Sequence, residues 1–288
     1  MKSNEVQKET GLTRKAIEYY ELQGLLEPNR DENGYRNYSD SDVQMLKKIS
    51  LFRQLGLNLT EIVKIANSGS EKQALADIVR DKSIRLEIDQ KRQELLSSLM
   101  NGMLLDDLPT ELKAIEAQEA IYERLCRTFP GYLGQSLFIN YRPYLQGTIV
   151  TEAQQEAYDN YVNFLDQMPE LKLTQEEQEF MEEVSSEISL EMLDRINAGK
   201  TSAIENTQKW LEENASIISA YEQMKNSEEL KSLPIWSIQK KLKALMAESG
   251  YYEIAIPLLR QMSPAYDEYY NKLLKSEDDY QKWMQNNN

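Results

Sequence analysis

Thr13, Arg14, Lys15 and Tyr19 open a short amphipathic segment whose other face is made of Ala16, Ile17 and Tyr20. At helical spacing the second set forms an apolar stripe, and the first set, with Glu18, points away from it. Arginine and lysine reach guanine edges in a DNA major groove, and threonine reaches a phosphate. These residue types at the exposed start of a helix therefore suit recognition of a duplex. Arg36 and Tyr38, further along, are expected to grip the phosphate backbone beside that helix, whereas Tyr20 and Tyr35 are expected to pack.

The elements needed to position these side chains are legible over residues 3–62. Gly11-Leu12-Thr13 breaks a first helix, and Thr13 is a good N-cap for a second one running from Arg14 to about Leu22. Two short helices around a tight glycine-containing turn form a helix-turn-helix. Gly24 caps the second helix and Pro28 prevents its continuation. Asn33-Gly34 predicts a hairpin turn in which both residues tolerate positive φ, and so a wing. Ser39-x-x-Asp42 and Asn58-x-x-Glu61 are capping boxes opening two more helices, with Gly56 between them.

Charge is unevenly spread. Residues 1–70 hold ten Lys and Arg against ten Asp and Glu, whereas residues 108–288 hold 17 against 30, so most of the net −15 lies in the C-terminal part. An acidic protein that binds DNA must confine its basic groups to one module, because phosphate neutralisation supplies much of the affinity. The chain has no histidine, and Cys126 is its single cysteine. An internal disulfide is thereby excluded, and no metal site or cofactor is expected. A reducing, cytoplasmic setting is expected. No charged-then-apolar leader precedes Asn4, and the longest apolar run, Ile254 to Leu259, is too short to span a bilayer.

Gly11-Leu12-Thr13, Ile17, Tyr19-Tyr20-Glu21, Gly24-Leu25-Leu26, Pro28, Asn33-Gly34-Tyr35-Arg36, Tyr38-Ser39 and Leu55-Gly56 follow one another in the order and spacing of the MerR family. Residues 1–70 thus resemble the DNA-binding part of these bacterial transcription regulators. Ser3, Gln7 and Glu18 depart from the family pattern, Glu18 standing where an arginine commonly faces DNA. The resemblance implies a homodimer joined through an antiparallel coil and bound to a palindromic promoter. It also implies that the dimer bends and untwists the DNA so that RNA polymerase reads realigned promoter elements. Thr13, Arg14, Lys15, Glu18, Tyr19, Arg36 and Tyr38 are then the expected DNA-facing set.

Residues 71–107 read as one long charged helix for dimerisation, with an imperfect stripe in either of two registers: Leu75, Ile78, Leu96 and Leu99, or Ile84, Ile88 and Leu95. Residues 108–288 are expected to form an all-α bundle of six to eight helices. Thr151-x-x-Gln154, Thr174-x-x-Glu177 and Ser202-x-x-Glu205 read as capping boxes there, and Ser263-Pro264 as a helix start. Apolar stripes follow, among them Phe180, Val184, Ile188 and Ile196, and Leu211, Ala215, Ile218 and Tyr221. The fold class is therefore mainly α: a winged helix-turn-helix domain, a long dimerisation helix and a C-terminal helical bundle.

Thirteen of 17 tyrosines and all three tryptophans fall after residue 107, many beside carboxylates. Aromatic faces with nearby carboxylates suit a lipophilic, drug-like cation. Aromatic stripes at helical spacing usually pack as core, however, so another small organic effector, or none, stays open beside the cation. Trp210, Trp236 and Tyr270 are the candidate lining. Relatives that sense metals carry clustered cysteines near the end of the dimer helix, which a lone Cys126 does not match. Catalysis is not expected: adjacent acids such as Glu182-Glu183 and Asp278-Asp279 diverge by about 100° on a helix, and no phosphate loop or histidine triad exists. A DNA-architectural or excisionase-like protein using the same winged motif without ligand control is the competing class.

Overall fold

The computed structural model describes residues 1–106, 108–145, 149, 151–225 and 227–287. Asp107, the end of the expected dimerisation segment, lies outside them. The described residues form sixteen α-helices and one two-stranded sheet, and none of these helices is long and apolar enough to cross a membrane. The chain divides into two compact units, Met1–Ile78 and Val79–Asn288, with the division inside a single helix.

In the first unit, α1 (Ser3–Thr10) and α2 (Arg14–Leu22) are joined by a turn at Gly11, and α3 (Asp40–Gln54) and α4 (Leu59–Asn67) follow the hairpin. Local chemistry sets these boundaries. The Thr13 hydroxyl accepts from the Ala16 amide, and Ser39 with Asp42 and Asn58 with Glu61 close the two expected capping boxes. Val6, Ile17, Leu26, Leu46, Ile49 and Ile62 form the core that these helices enclose.

The hairpin pairs β1 (Asn29–Arg30) with β2 (Arg36–Asn37), Arg30 opposite Arg36. Its turn differs from the expected one in that Gly34 alone takes positive φ, at 77°. Asp31 supplies the rest of the order, its carboxylate accepting from the amides of Asn33 and Tyr35. An aspartate that satisfies the loop amides replaces the left-handed conformation that Asn33 would otherwise adopt.

Helix α5 (Glu71–Met100) is continuous for 30 residues. Ile84 and Ile88 are buried in the core of the helical unit, together with residues of α6 (Leu108–Thr128), α7 (Tyr132–Tyr141), α8 (Glu152–Gln167) and α15 (Ile256–Met262). Helices α6 and α7 cross closely because Gly134 has no side chain: a Cβ there would lie 2.5 Å from the Leu125 carbonyl oxygen. Buried hydroxyls of Tyr141 and Tyr251 share a hydrogen bond of 2.6 Å in the same core.

Eleven α-helices follow α5 among the described residues, more than the expected six to eight. Asn206 and Asn214 leave helical geometry and separate α10 (Leu190–Glu205), α11 (Thr207–Glu213) and α12 (Ala215–Met224), so the stripe from Leu211 to Tyr221 is divided between two helices. Thr151 and Thr174 cap as expected, and Ser263 caps α16 (Pro264–Asn287) by accepting from the Tyr266 amide. The Ser202-x-x-Glu205 box is a correction: α10 already starts at Ser189 and runs through Ser202, so its amides have intrahelical partners. Ile196 and Tyr221, placed on apolar stripes by spacing, are instead exposed.

One capping residue does more than cap. Glu177 of α9 (Gln175–Glu187) is buried and accepts from Lys241 Nζ at 2.6 Å, Ser237 Oγ at 2.7 Å and the Thr174 amide at 2.7 Å, tying α9 to α14 (Pro234–Glu248). Burial alone raises its pKa, but these donors outweigh burial and hold it at about 2. A carboxylate depressed in the folded state contributes its stability above the unfolded pKa and loses it as pH falls towards the folded one. Acid titration from about pH 5 to pH 2 is therefore expected to remove on the order of 3 kcal/mol from this unit. The unfolding free energy of Glu177→Gln, followed by tryptophan fluorescence, is expected to be lower at neutral pH and flatter across that window.

Candidate nucleic-acid interface

Thr13, Arg14, Lys15 and Tyr19 are all exposed at the first two turns of α2, while Ile17 and Tyr20 are buried beneath them. The exposed face and the buried face are those that helical spacing predicts. Lys15 forms no ion pair among the described residues, and Tyr19 keeps 48% of its surface in solvent while its ring lies 6.3 Å from that of Tyr20. The helix begins with free backbone amides behind the Thr13 cap, a partial positive end that favours an anion.

Arg36 of the wing meets this helix through carboxylates. Glu18 Oε1 lies 2.9 Å from Arg14 Nε and 3.3 Å from Arg36 Nη1. Glu21 Oε2 lies 2.5 Å from Arg36 Nε, and its other oxygen 3.3 Å from Arg30 Nη2. Arg14, Glu18, Arg36, Glu21 and Arg30 thus alternate in sign along a chain of ion pairs that fastens the hairpin to α2. The Arg14 hydrogen bond, and then the two guanidinium charges, hold the Glu18 carboxyl below its usual range. The Glu21 hydrogen bond raises the Arg36 guanidinium, which is only partly exposed.

Among the expected DNA-facing residues, Arg14, Glu18 and Arg36 are brought together, with Thr13, Lys15 and Tyr19 on the same helix. Glu21 and Arg30 were not expected and complete the web. The helical spacing of Glu18 and Glu21 places them on neighbouring positions of α2, but nothing local in the sequence pairs them with a hairpin 9 to 18 residues away.

Tyr38 is a correction. Its ring is 2% exposed and belongs to the core of the first unit, and burial raises its phenol pKa. The strand ends at Asn37, so the period-two argument that would place Tyr38 beside Arg36 ends there too. The Tyr38 amide instead donates to the Met1 carbonyl, and the chain turns directly into the Ser39 cap. Tyr35, expected to pack, stands 68% exposed at the tip of the hairpin.

The candidate effector residues stand on three different helices. Trp210 is on α11 and 40% exposed, Trp236 is on α14, and Tyr270 is on α16. The cation over the Tyr270 ring is the protein's own Arg260, 4.9 Å from the centroid.

Comparison with known proteins agrees with the geometry. Residues 1–69 match the family model described as MerR HTH family regulatory protein. The HTH-type transcriptional regulator CueR of Escherichia coli O6:H1 (strain CFT073) is 37% identical over 107 residues, which are 36% of this chain and 78% of that protein. HmrR of Rhizobium leguminosarum bv. viciae, also an HTH-type transcriptional regulator, is 36% identical over 97 residues, 33% of this chain and 75% of the relative. The multidrug-efflux transporter 2 regulator of Bacillus subtilis (strain 168) is 37% identical over 83 residues, 28% of this chain and 29% of that one. No solved structure matches the chain. A helix-turn-helix capped at Thr13, a hairpin fastened to it, and relatives matched over most of their own length lead to one assignment: the chain belongs to the MerR family of helix-turn-helix regulators.

Proposed function

We propose that this MerR-type regulator binds a palindromic promoter as a homodimer, distorts it, and answers to a small organic effector held by its C-terminal region. The observation that carries the reading is the α2 start, where Arg14, Lys15 and Tyr19 are exposed behind the Thr13 cap and Arg36 stands alongside. Arg14, Lys15 and Tyr19 read base edges, while Thr13 and Arg36 hold phosphates. Glu18 tempers the two arginines that it bridges.

Residues 1–70 act as the DNA-binding domain, 71–107 as the dimerisation helix and 108–288 as the effector-binding domain. Val79, Leu86, Leu96 and Met100 support the dimer: all four are more than half exposed on α5, and they fall within roughly 100° of one another around the helix axis. An apolar strip on an otherwise charged helix favours burial against a second copy. Bending costs about 1 to 6 kcal/mol, a sum that differential effector affinity supplies, and the distorted promoter is then the form that RNA polymerase opens. A relative that regulates a multidrug-efflux transporter supports an organic effector.

Footprinting tests the reading. One inverted repeat is expected to be protected, and Arg36→Ala is expected to weaken binding to promoter and random DNA alike by about tenfold, lowering the salt slope by less than about one because Glu18 and Glu21 already hold this guanidinium. Equal affinity of the unaltered protein for promoter and random DNA at physiological salt would leave an architectural role in its place.

A further inference from the structure

A cleft of about 280 Å³ opens in the helical unit between α6, the turn that follows α7, and the joint of α15 with α16. Ala114, Ala117 and Ile121 form its floor, and Leu145, Met262 and Pro264 its sides. The two alanines make the room, since a longer side chain at either position would project into it. None of Trp210, Trp236 and Tyr270 lines it.

The polar side chains on the wall already have partners. Gln118 Nε2 donates to the Leu145 carbonyl at 2.8 Å, and its Oε1 accepts from Lys91 Nζ at 2.7 Å. Gln154 Nε2 donates to the Met262 carbonyl at 3.2 Å, and Ser263 Oγ to the Tyr144 carbonyl at 2.6 Å. Among the described residues no carboxylate, lysine or arginine lines the cleft. A cationic guest would surrender its hydration there and meet no carboxylate among the lining residues, only the Lys91 ammonium behind Gln118, whereas an apolar guest gains roughly 25 cal/mol for each Å² it withdraws from water. An apolar cavity of about 150 Å³ accepts benzene, so this volume suits two fused rings.

We propose that the cleft binds a compact, uncharged, largely apolar organic molecule about the size of a fused two-ring aromatic, and that it rejects lipophilic cations. The proposal rests on the reading of residues 108–288 as the effector-binding part, and it replaces the cationic ligand suggested by aromatic content with a neutral one.

Indole and tryptamine test it as a matched pair with the same ring system, the second carrying an ammonium group. Calorimetric titration of the full chain is expected to show saturable indole binding and a raised melting temperature, with tryptamine weaker by at least about tenfold. Ala117→Leu fills the floor, and Ala265→Trp blocks the mouth from an exposed position that leaves the core untouched. Each folded variant is expected to lose indole by about tenfold or more. If Ala117→Leu fails to fold, Ala265→Trp carries the test alone. Absence of saturable indole binding, equal binding of tryptamine, or unchanged binding by a folded variant overturns the proposal. Indole bound as expected without any change in promoter occupancy or transcription upholds the cleft and removes only the effector role.

Discussion

Arg80→Met is expected to lower the stability of the helical unit by on the order of 3 to 5 kcal/mol, at nearly constant side-chain length. Arg80 is 2% exposed, and its guanidinium is spent on backbone and side-chain acceptors. Nε donates to Gln135 Oε1 at 2.7 Å, Nη1 to the Ser185 carbonyl at 2.7 Å and the Ile188 carbonyl at 2.5 Å, and Nη2 to Ser185 Oγ at 2.6 Å. A thioether fills much of the space but offers no donor, so several buried acceptors are left facing apolar surface. The tryptophans all lie after residue 107, so denaturant unfolding read by their fluorescence reports this unit separately from the first. A loss under 1 kcal/mol would mean that water or a neighbouring side chain takes over the acceptors. Arg80→Lys keeps the charge without the planar fork and is expected to recover only part of the loss.

Glu18→Gln is expected to strengthen DNA binding. The carboxylate sits between Arg14 and Arg36 and presents a negative charge on the face proposed to meet phosphate. The amide removes that charge and leaves two guanidinium groups less firmly held, so affinity for random DNA should rise on the order of tenfold at low salt. Promoter affinity should rise less, because arginines without a bridge are less well aimed at particular bases. Anisotropy titrations with one promoter and one scrambled duplex measure both. Unchanged or weakened binding to the scrambled duplex would assign Glu18 a purely positioning role. Because the Glu18 carboxyl is held below its usual range, wild-type behaviour should remain that of the ionised form across the neutral region.

What the sequence disclosed was what neighbouring residues decide among themselves. The caps at Thr13, Ser39, Asn58, Thr151, Thr174 and Ser263 rest on hydrogen bonds that span three residues, and all six stand where spacing puts them. Ser202 has the same local pattern, but α10 was already under way from Ser189, and a helix that has nucleated does not restart. Long-range contacts were out of reach. Arg80 and Glu177 resemble solvated helix charges in the sequence, and only partners 55 to 108 residues away turn them into buried fasteners. The Glu18 and Glu21 web is of the same kind, and so is Tyr38, which moves from the expected interface into the core once the chain leaves the strand. Aromatic content was a poor guide to the cleft, whose room comes from two alanines.

The alternating pairs at α2 and the hairpin also act as a built-in counterion. In the proposed complex, dissolved salt that screens the duplex from Arg14 and Arg36 equally screens those arginines from Glu18 and Glu21, so rising ionic strength frees the cations as it weakens their attraction to DNA. The two effects partly cancel. Occupancy of the promoter should therefore vary less with the ionic strength of the cell than the count of basic residues implies, and a variant stripped of these carboxylates should become the more salt-sensitive protein.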